Sequence, residues 1–341
     1  MSAPLEDFLK SKRKLRYIFT GGKGGVGKTI AAAGVALRFA ERGERVLLAS
    51  LNPVHSLSSL FNVDLRGGQP KAVNGSSRLH AQEVGIKDAV EKYRQRIGER
   101  VGDFLKWADI PLDARPFIEI AATNPAFEES AMFDRMVDII LQKGEQYDRI
   151  VFDTAAVANA VRLIGLSKIY GLWLGRMIQS RREALEMRLK LAFRRDKVEQ
   201  EMKQDPMMAD LLDMNERFKK AKVILTDPDL TAFFFVTLPL SLPIAVVKRF
   251  IRMVRGFDIP VGGVVVNSVM AEPPPKEEDP QGYLTNKFQE QLSYMGDIKN
   301  DLGDLVRSFI PLYPQEVVGL DSIRKVSEDM FSYTPPFWEN L

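Results

Sequence analysis

The stretch that decides the fold is TGGKGGVGKT, Thr20–Thr29. It contains the pattern G-x-x-x-x-G-K-[ST], running from Gly22 through Gly27 and Lys28 to Thr29. The short apolar run LRYIFT precedes it, and TIAAAGVALRFAERGE follows with the pattern of a helix ending at Gly43. In this strand–loop–helix setting the glycines let successive backbone N–H groups turn toward phosphate oxygens at the helix N-terminus. Lys28 is expected to neutralise the β and γ phosphates, and the Thr29 hydroxyl to bind Mg²⁺. The candidate nucleotide-binding set is therefore Gly22, Lys23, Gly24, Gly25, Val26, Gly27, Lys28 and Thr29. Lys23 is one lysine more than the pattern requires. Its side chain either reaches the phosphates of another subunit, as an arginine finger does, or stands in solvent.

Working outward, RVLLAS, RIVFDTA and VGGVVVNSV have the continuous apolar character of buried strands, as do KVILTD and AFFFVTL more loosely. Strands alternating with helical stretches predict an α/β fold of the P-loop NTPase kind, a mostly parallel sheet flanked by helices. Two stretches fall outside the alternation. Residues 88–108 place Val90, Tyr93, Ile97, Val101, Phe104 and Ala108 on one helical stripe, and residues 172–220 place Ile178, Leu185, Leu189 and Phe193 on one face. Together they predict an inserted helical subdomain, leaving 15–87, 109–171 and 221–335 as a discontinuous nucleotide-binding domain. Leu230–Val247 is an uncharged apolar run of 18 residues. A membrane span needs about 20, and Pro239 and Pro243 interrupt this one. The run predicts a strand, a proline-marked turn and a helix from near Ala245.

Composition removes several chemistries. Of 341 residues 45% are hydrophobic, enough for a large core. With no cysteine, disulfides, thiolate metal sites and thiol nucleophiles are excluded. Only His55 and His80 remain as soft ligands, so no zinc is expected. A net charge of +3 and the short basic run Lys10–Arg16 are too weak to argue for nucleic acid. The N-terminus has acidic residues and no apolar core of a signal peptide, so a soluble, cytoplasmic protein is expected.

KGGVGKT resembles the deviant phosphate loop of the partition-type ATPases, in which the first lysine acts across a nucleotide-sandwiching dimer. The resemblance implies a homodimer, with Lys23 reaching into the partner's site. LASLNPVHSLSSLF, Leu48–Phe61, resembles switch one of the arsenite-pump ATPase family, including its tail-anchored-protein targeting members. IVFDTAAVANAVRLI resembles that family's switch two, which implies Asp153 on the water shell of magnesium. DPDLTAFFFVTLP is similar to a family strand entry, VVVNSV puts Asn267 at the adenine-contacting position, and PLYPQEVVGL matches the adenine loop, with Pro311 against the base. The resemblance runs from about residue 15 to 330 and implies ATP with Mg²⁺.

The departures carry information too. The family's switch-one aspartate, which activates the attacking water, is Asn52 here. An amide cannot take a proton, and a positioned base contributes about 10²–10⁴-fold, so hydrolysis is expected to be slow. Switch two reads AAVANAV, Leu240 replaces a family glutamate, and the zinc-binding Cys-x-x-Cys of the targeting dimers is absent. Without cysteine, thiol-based arsenite handling is excluded. The resemblance then implies a hydrophobic helix of a membrane-protein client, with a receptor at the membrane, as the partners. Met177, Met187, Met202, Met207, Met208 and Met214 cluster in the second helical stretch. Methionine suits an adaptable client groove, and equally an irregular core. A nucleotide switch acting on a soluble partner is the alternative function.

Overall fold

The computed structural model describes residues 5–52, 56–107, 111–113, 115–154, 175–187, 189–190, 205–275 and 277–341. The chain divides into two compact units, one of 1–85, 142–161 and 225–341 and the other of 86–141 and 162–224.

The first unit is built on an eight-stranded sheet. In chain order its strands are β1 Tyr17–Gly21, β2 Val46–Ser50, β3 Lys71–Val73, β4 Ser76–Glu83, β5 Arg149–Asp153, β6 Thr231–Thr237, β7 Val261–Val269 and β8 Val306–Pro311. They lie side by side as β3-β4-β2-β5-β1-β6-β7-β8, parallel except for β3 against β4. β1, β2 and β6 are buried at every position, as strands covered on both faces must be. At the centre Phe19 stacks between Phe152 at 4.6 Å and Phe233 at 5.8 Å, both its register partners. Parallel strands carry all their C-terminal ends to one edge, where open α/β sheets place ligands. Gly21, Ser50, Asp153, Thr237, Val269 and Pro311 end strands on that edge.

The flanking helices are α1 Leu5–Ser11, α2 Lys28–Glu41, α3 Ser56–Phe61, then α8 Ser241–Arg255, α9 Tyr283–Leu302 and α10 Leu320–Ser332; α4 to α7 follow below. α2 is alanine-rich, which allows close packing on sheet and α10; even a Cβ on Gly34 would meet the Met330 sulfur at 2.9 Å. The C-terminal tail docks rather than protruding: Trp338 meets Phe309 edge-on at 4.9 Å, and Lys299 Nζ donates to its carbonyl at 2.7 Å.

The second unit is helical: α4 Ile86–Trp107, α5 Arg115–Ala122, α6 Pro125–Lys143 up to Leu141, a helical stretch at 175–187, and α7 Pro206–Thr226 up to Ile224. It is larger than the two stretches expected to form it. α5 belongs to it through its packing on α4, and α6 because its Phe133 stacks on Phe218 of α7 at 5.3 Å. Asp138 of α6 also accepts from Arg96 at 3.2 Å and from Arg217 at 2.6 Å. Burial holds Asp134, which pairs with the same two arginines, above the usual carboxylate range. On α4 Val90, Tyr93, Ile97 and Val101 of the expected stripe are half-buried, and Ala89 and Leu105 are buried; the Phe104 side chain lies outside the described residues.

Two expectations are corrected. KVILTD is not a strand: Lys222–Thr226 is the last turn of α7, with Phe218, Ala221 and Leu225 buried at helical spacing and Val223 exposed. The helix after β6 begins at Ser241 rather than near Ala245, because Pro243 sits in the first turn, where a missing N–H costs nothing. The β3–β4 hairpin was not foreseen, although Asn74-Gly75 between its strands is a turn signal and Gly75 has φ 86°. Among the described residues no helix is long and apolar enough to cross a membrane.

Candidate functional site

The phosphate loop leaves β1 at Gly21 and enters α2 at Lys28. Two glycines are needed for its shape. A Cβ on Gly22 would lie 2.3 Å from the carbonyl oxygen of Val236, and one on Gly27 would lie 2.1 Å from Asn267 Nδ2, where φ is also 89°. Asn267 donates from Nδ2 to the carbonyl of Val26 at 2.9 Å and accepts the Ser268 N–H at 2.8 Å. Its amide thus braces the loop from the end of β7, a role that its position in VVVNSV alone does not disclose. Pro311 is half-buried at the end of β8, level with Val269 of β7.

Lys28 is buried and donates from Nζ to the carbonyl of Lys23 at 3.1 Å. Burial lowers its pKa, partly offset by Asp153. Lys23 differs: it is exposed, and among the described residues no hydrogen bond or ion pair engages its ammonium. Gly24 and Gly25 are exposed with it.

A chain of hydroxyls converges on Asp153. Thr29 Oγ1 donates to Asp153 Oδ2 at 2.8 Å, Ser50 Oγ donates to the same oxygen at 3.1 Å, and Asn52 N–H donates to Ser50 Oγ at 3.2 Å. Ser56 Oγ lies 3.4 Å from Thr29 Oγ1. Asp153 is 0% exposed, and its Oδ1 has no partner among the described residues. Burial pushes its pKa up to about 6, against the lowering effects of Thr29, Lys28 and Ser50. An orphaned carboxylate oxygen beside a hydroxyl and an ammonium is the donor set expected around a nucleotide-bound Mg²⁺, whose other ligands come from phosphate and water. Among the described residues no cluster of three or more His, Asp or Glu could hold a metal ion.

Met177, Met207, Met208 and Met214 are half-buried in the helical unit and Met187 is 65% exposed. Met202, Phe193, Ala108, His55 and the switch-two residues from 155 onward lie outside the described residues. His80 is half-buried on β4, edge-on to Tyr147 at 5.6 Å. The structure also shows an apolar surface no motif marked: α5 has no buried residue, with Phe117 63% and Ile120 70% exposed.

With the loop, the two switch-region hydroxyls and Asp153 on one edge, comparison with known proteins is decisive. Residues 15–332 match the family model described as anion-transporting ATPase. This chain belongs to that family. It is 27% identical over 314 residues to a protein of Aquifex aeolicus named as an arsenical pump-driving ATPase, covering 92% of this chain and 98% of that one. It is 28% identical to ATPase GET3C of Arabidopsis thaliana, over 92% of this chain and 82% of the relative. ATPase get3 of Pyrenophora tritici-repentis is 25% identical, over 98% and 96%. The chain is accordingly an ATPase, and its cofactor is ATP with Mg²⁺.

Proposed function

We propose that this ATPase is a homodimeric switch that captures and releases apolar membrane segments of client proteins as it binds and hydrolyses ATP. The observation that carries the proposal is the apolar surface of the helical unit. Leu112, Phe117 and Ile120 are exposed around α5, with Met187 exposed in the same unit. Phe117 and Ile120 stand three residues apart on one face of α5, and large apolar side chains left exposed together on a helix face mark an interaction site. The half-buried methionines of the same unit supply adaptable packing.

The nucleotide chemistry assigns roles along the sheet edge. The loop N–H groups and Lys28 hold the phosphates, and Asn267 and Pro311 flank the base. Thr29 would offer its hydroxyl to magnesium, which would supply positive charge to the transferring phosphoryl group, and Asp153 would hold the ion's water shell. Asn52 orients the attacking water without removing its proton, which keeps turnover slow. Lys23, exposed and unengaged among the described residues, enters the partner subunit's site in a nucleotide-sandwiching dimer and stabilises charge on the γ-phosphate.

The test is aggregation of a peptide bearing one apolar helix, followed by light scattering with the protein and ATP. Suppression that requires ATP and falls when Phe117 and Ile120 are made polar supports the proposal. An ATP-bound, folded protein that leaves the peptide to aggregate refutes it and points to a soluble partner.

A further inference from the structure

Glu83, at the C-terminal end of β4, is a buried carboxylate that no phosphate-loop motif includes; it is 1% exposed. An unpaired charge at such a site would be prohibitive, so its partners identify its use. Oε1 accepts the Leu57 N–H at 2.7 Å and the Ser58 N–H at 2.9 Å, and Oε2 accepts from Ser58 Oγ at 2.6 Å. Ser58 Oγ in turn accepts the Leu65 N–H at 3.1 Å. Glu83 therefore clamps both the entry and, through Ser58, the exit of α3, a helix of six residues that is too short to persist unaided.

The clamp has a defined relation to the nucleotide edge. Sheet register aligns Glu83 with Ser50, Ser50 with Asp153, and Asp153 with Thr20 across β4, β2, β5 and β1. The connection from β2 to α3 thus has both ends referred to Asp153. Asn52 is tied through Ser50, and Ser56 faces the Thr29 hydroxyl that itself donates to Asp153. Because Thr29 spends its proton on Asp153, a hydrogen bond with Ser56 has Ser56 as its donor. Ser56 Oγ then keeps its acceptor lone pairs beside the Thr29 hydroxyl.

We propose that Ser56 is a second hydroxyl of the magnesium–nucleotide site and that Glu83 is the positioning residue that holds it there by clamping α3. This rests on the assignment of Thr29 and Asp153 to magnesium. Loss of the clamp leaves the phosphate loop and Lys28 intact, so nucleotide is still held, while the ion loses an oriented neighbour.

The experiment compares Glu83→Ala, Glu83→Gln, Ser56→Ala and Thr29→Ala. Two quantities are read in each: the Mg²⁺ concentration that half-saturates the affinity for a fluorescent ATP analogue, and the thermal midpoint. Glu83→Ala and Ser56→Ala should raise the Mg²⁺ requirement by roughly tenfold, as loss of an outer partner does at metal sites, with analogue affinity in EDTA little changed. Glu83→Gln, which retains an acceptor for the two N–H groups, should restore most of the lost Mg²⁺ response. If Glu83→Ala lowers the thermal midpoint but the Mg²⁺ requirement of folded protein is that of the wild type, Glu83 is merely structural and the proposal fails. Should Glu83→Ala not fold, Ser56→Ala and Glu83→Gln decide it: an unchanged Mg²⁺ requirement in Ser56→Ala overturns it. An unchanged requirement in Thr29→Ala would instead overturn the magnesium assignment beneath it.

Discussion

Thr29 Oγ1 lies 2.8 Å from Asp153 Oδ2, although 124 residues separate the two in sequence. Thr29 is the second residue of α2 and Asp153 the last of β5, the strand beside β1. The contact joins the phosphate loop to the start of the switch-two segment, and its state of protonation has a measurable consequence.

Asp153 titrates near 6 in the folded chain, against an ordinary value of 3.8, because burial disfavours its charge. A folded pKa raised above the unfolded one contributes stability that is present below about pH 4 and is lost as pH rises through about 6. Asp153→Asn should therefore raise the thermal midpoint of the nucleotide-free protein at pH 8 by roughly 2–6 °C, and by less at pH 5. Turnover should be lost in the same variant. Thermal unfolding at the two pH values checks this; a lower midpoint at pH 8 contradicts it.

Asn52→Asp restores a proton acceptor next to the site. Turnover should rise by about 10²-fold or more with ATP affinity nearly unchanged, measured as phosphate release. An unchanged rate would show that water activation does not depend on this position.

Lys23→Ala should lower turnover far more than ATP affinity, because the exposed ammonium makes no contact within its own chain among the described residues. Mixing this variant with a Lys28→Ala variant should give hybrid dimers that recover part of the rate. Equal losses of rate and affinity, with no recovery on mixing, would place Lys23 in its own site.

Gly27→Ala brings a side chain to within 2.1 Å of Asn267 Nδ2 at a backbone φ of 89°. The left-handed conformation alone costs about 1–2 kcal/mol, and displacing the Asn267 amide frees the loop. ATP binding should be lost, while Gly98→Ala on α4, where a Cβ meets nothing within 4 Å, should bind normally. Calorimetric titration of the two variants separates these outcomes.

In the helical unit Asp138, whose side chain is 8% exposed, receives both Arg96 and Arg217. Asp138→Ala leaves two half-buried guanidinium groups with Asp134 alone, and should destabilise by about 1–3 kcal/mol. Chemical denaturation tests this.

What was legible in the sequence follows the range of the interactions. The loop, β1 and α2 were legible because the motif, the preceding apolar run and Gly43 are all local, and the motif depends on backbone geometry. The strands β2, β5 and β7 were legible because burial on both faces leaves an unbroken apolar run. KVILTD has the same run inside the end of a helix, and only the spacing of Phe218, Ala221 and Leu225 distinguishes it. β8 was hidden because Arg307 and Ser308 interrupt its apolar residues. Glu83 could not have been singled out at all: its partners precede it by 25 and 26 residues, and strand register alone brings them together. Asn267 was marked by the family resemblance, whereas its grip on Val26 is visible only in three dimensions.

The most direct measurement is co-expression with a tagged protein that ends in a single apolar helix, followed by size-exclusion chromatography with ATP and Mg²⁺. The account predicts co-elution at a defined size, lost when the client helix is made polar and lost again when Phe117 and Ile120 are replaced by aspartate. A folded, ATP-bound protein that elutes alone while the client aggregates would contradict it.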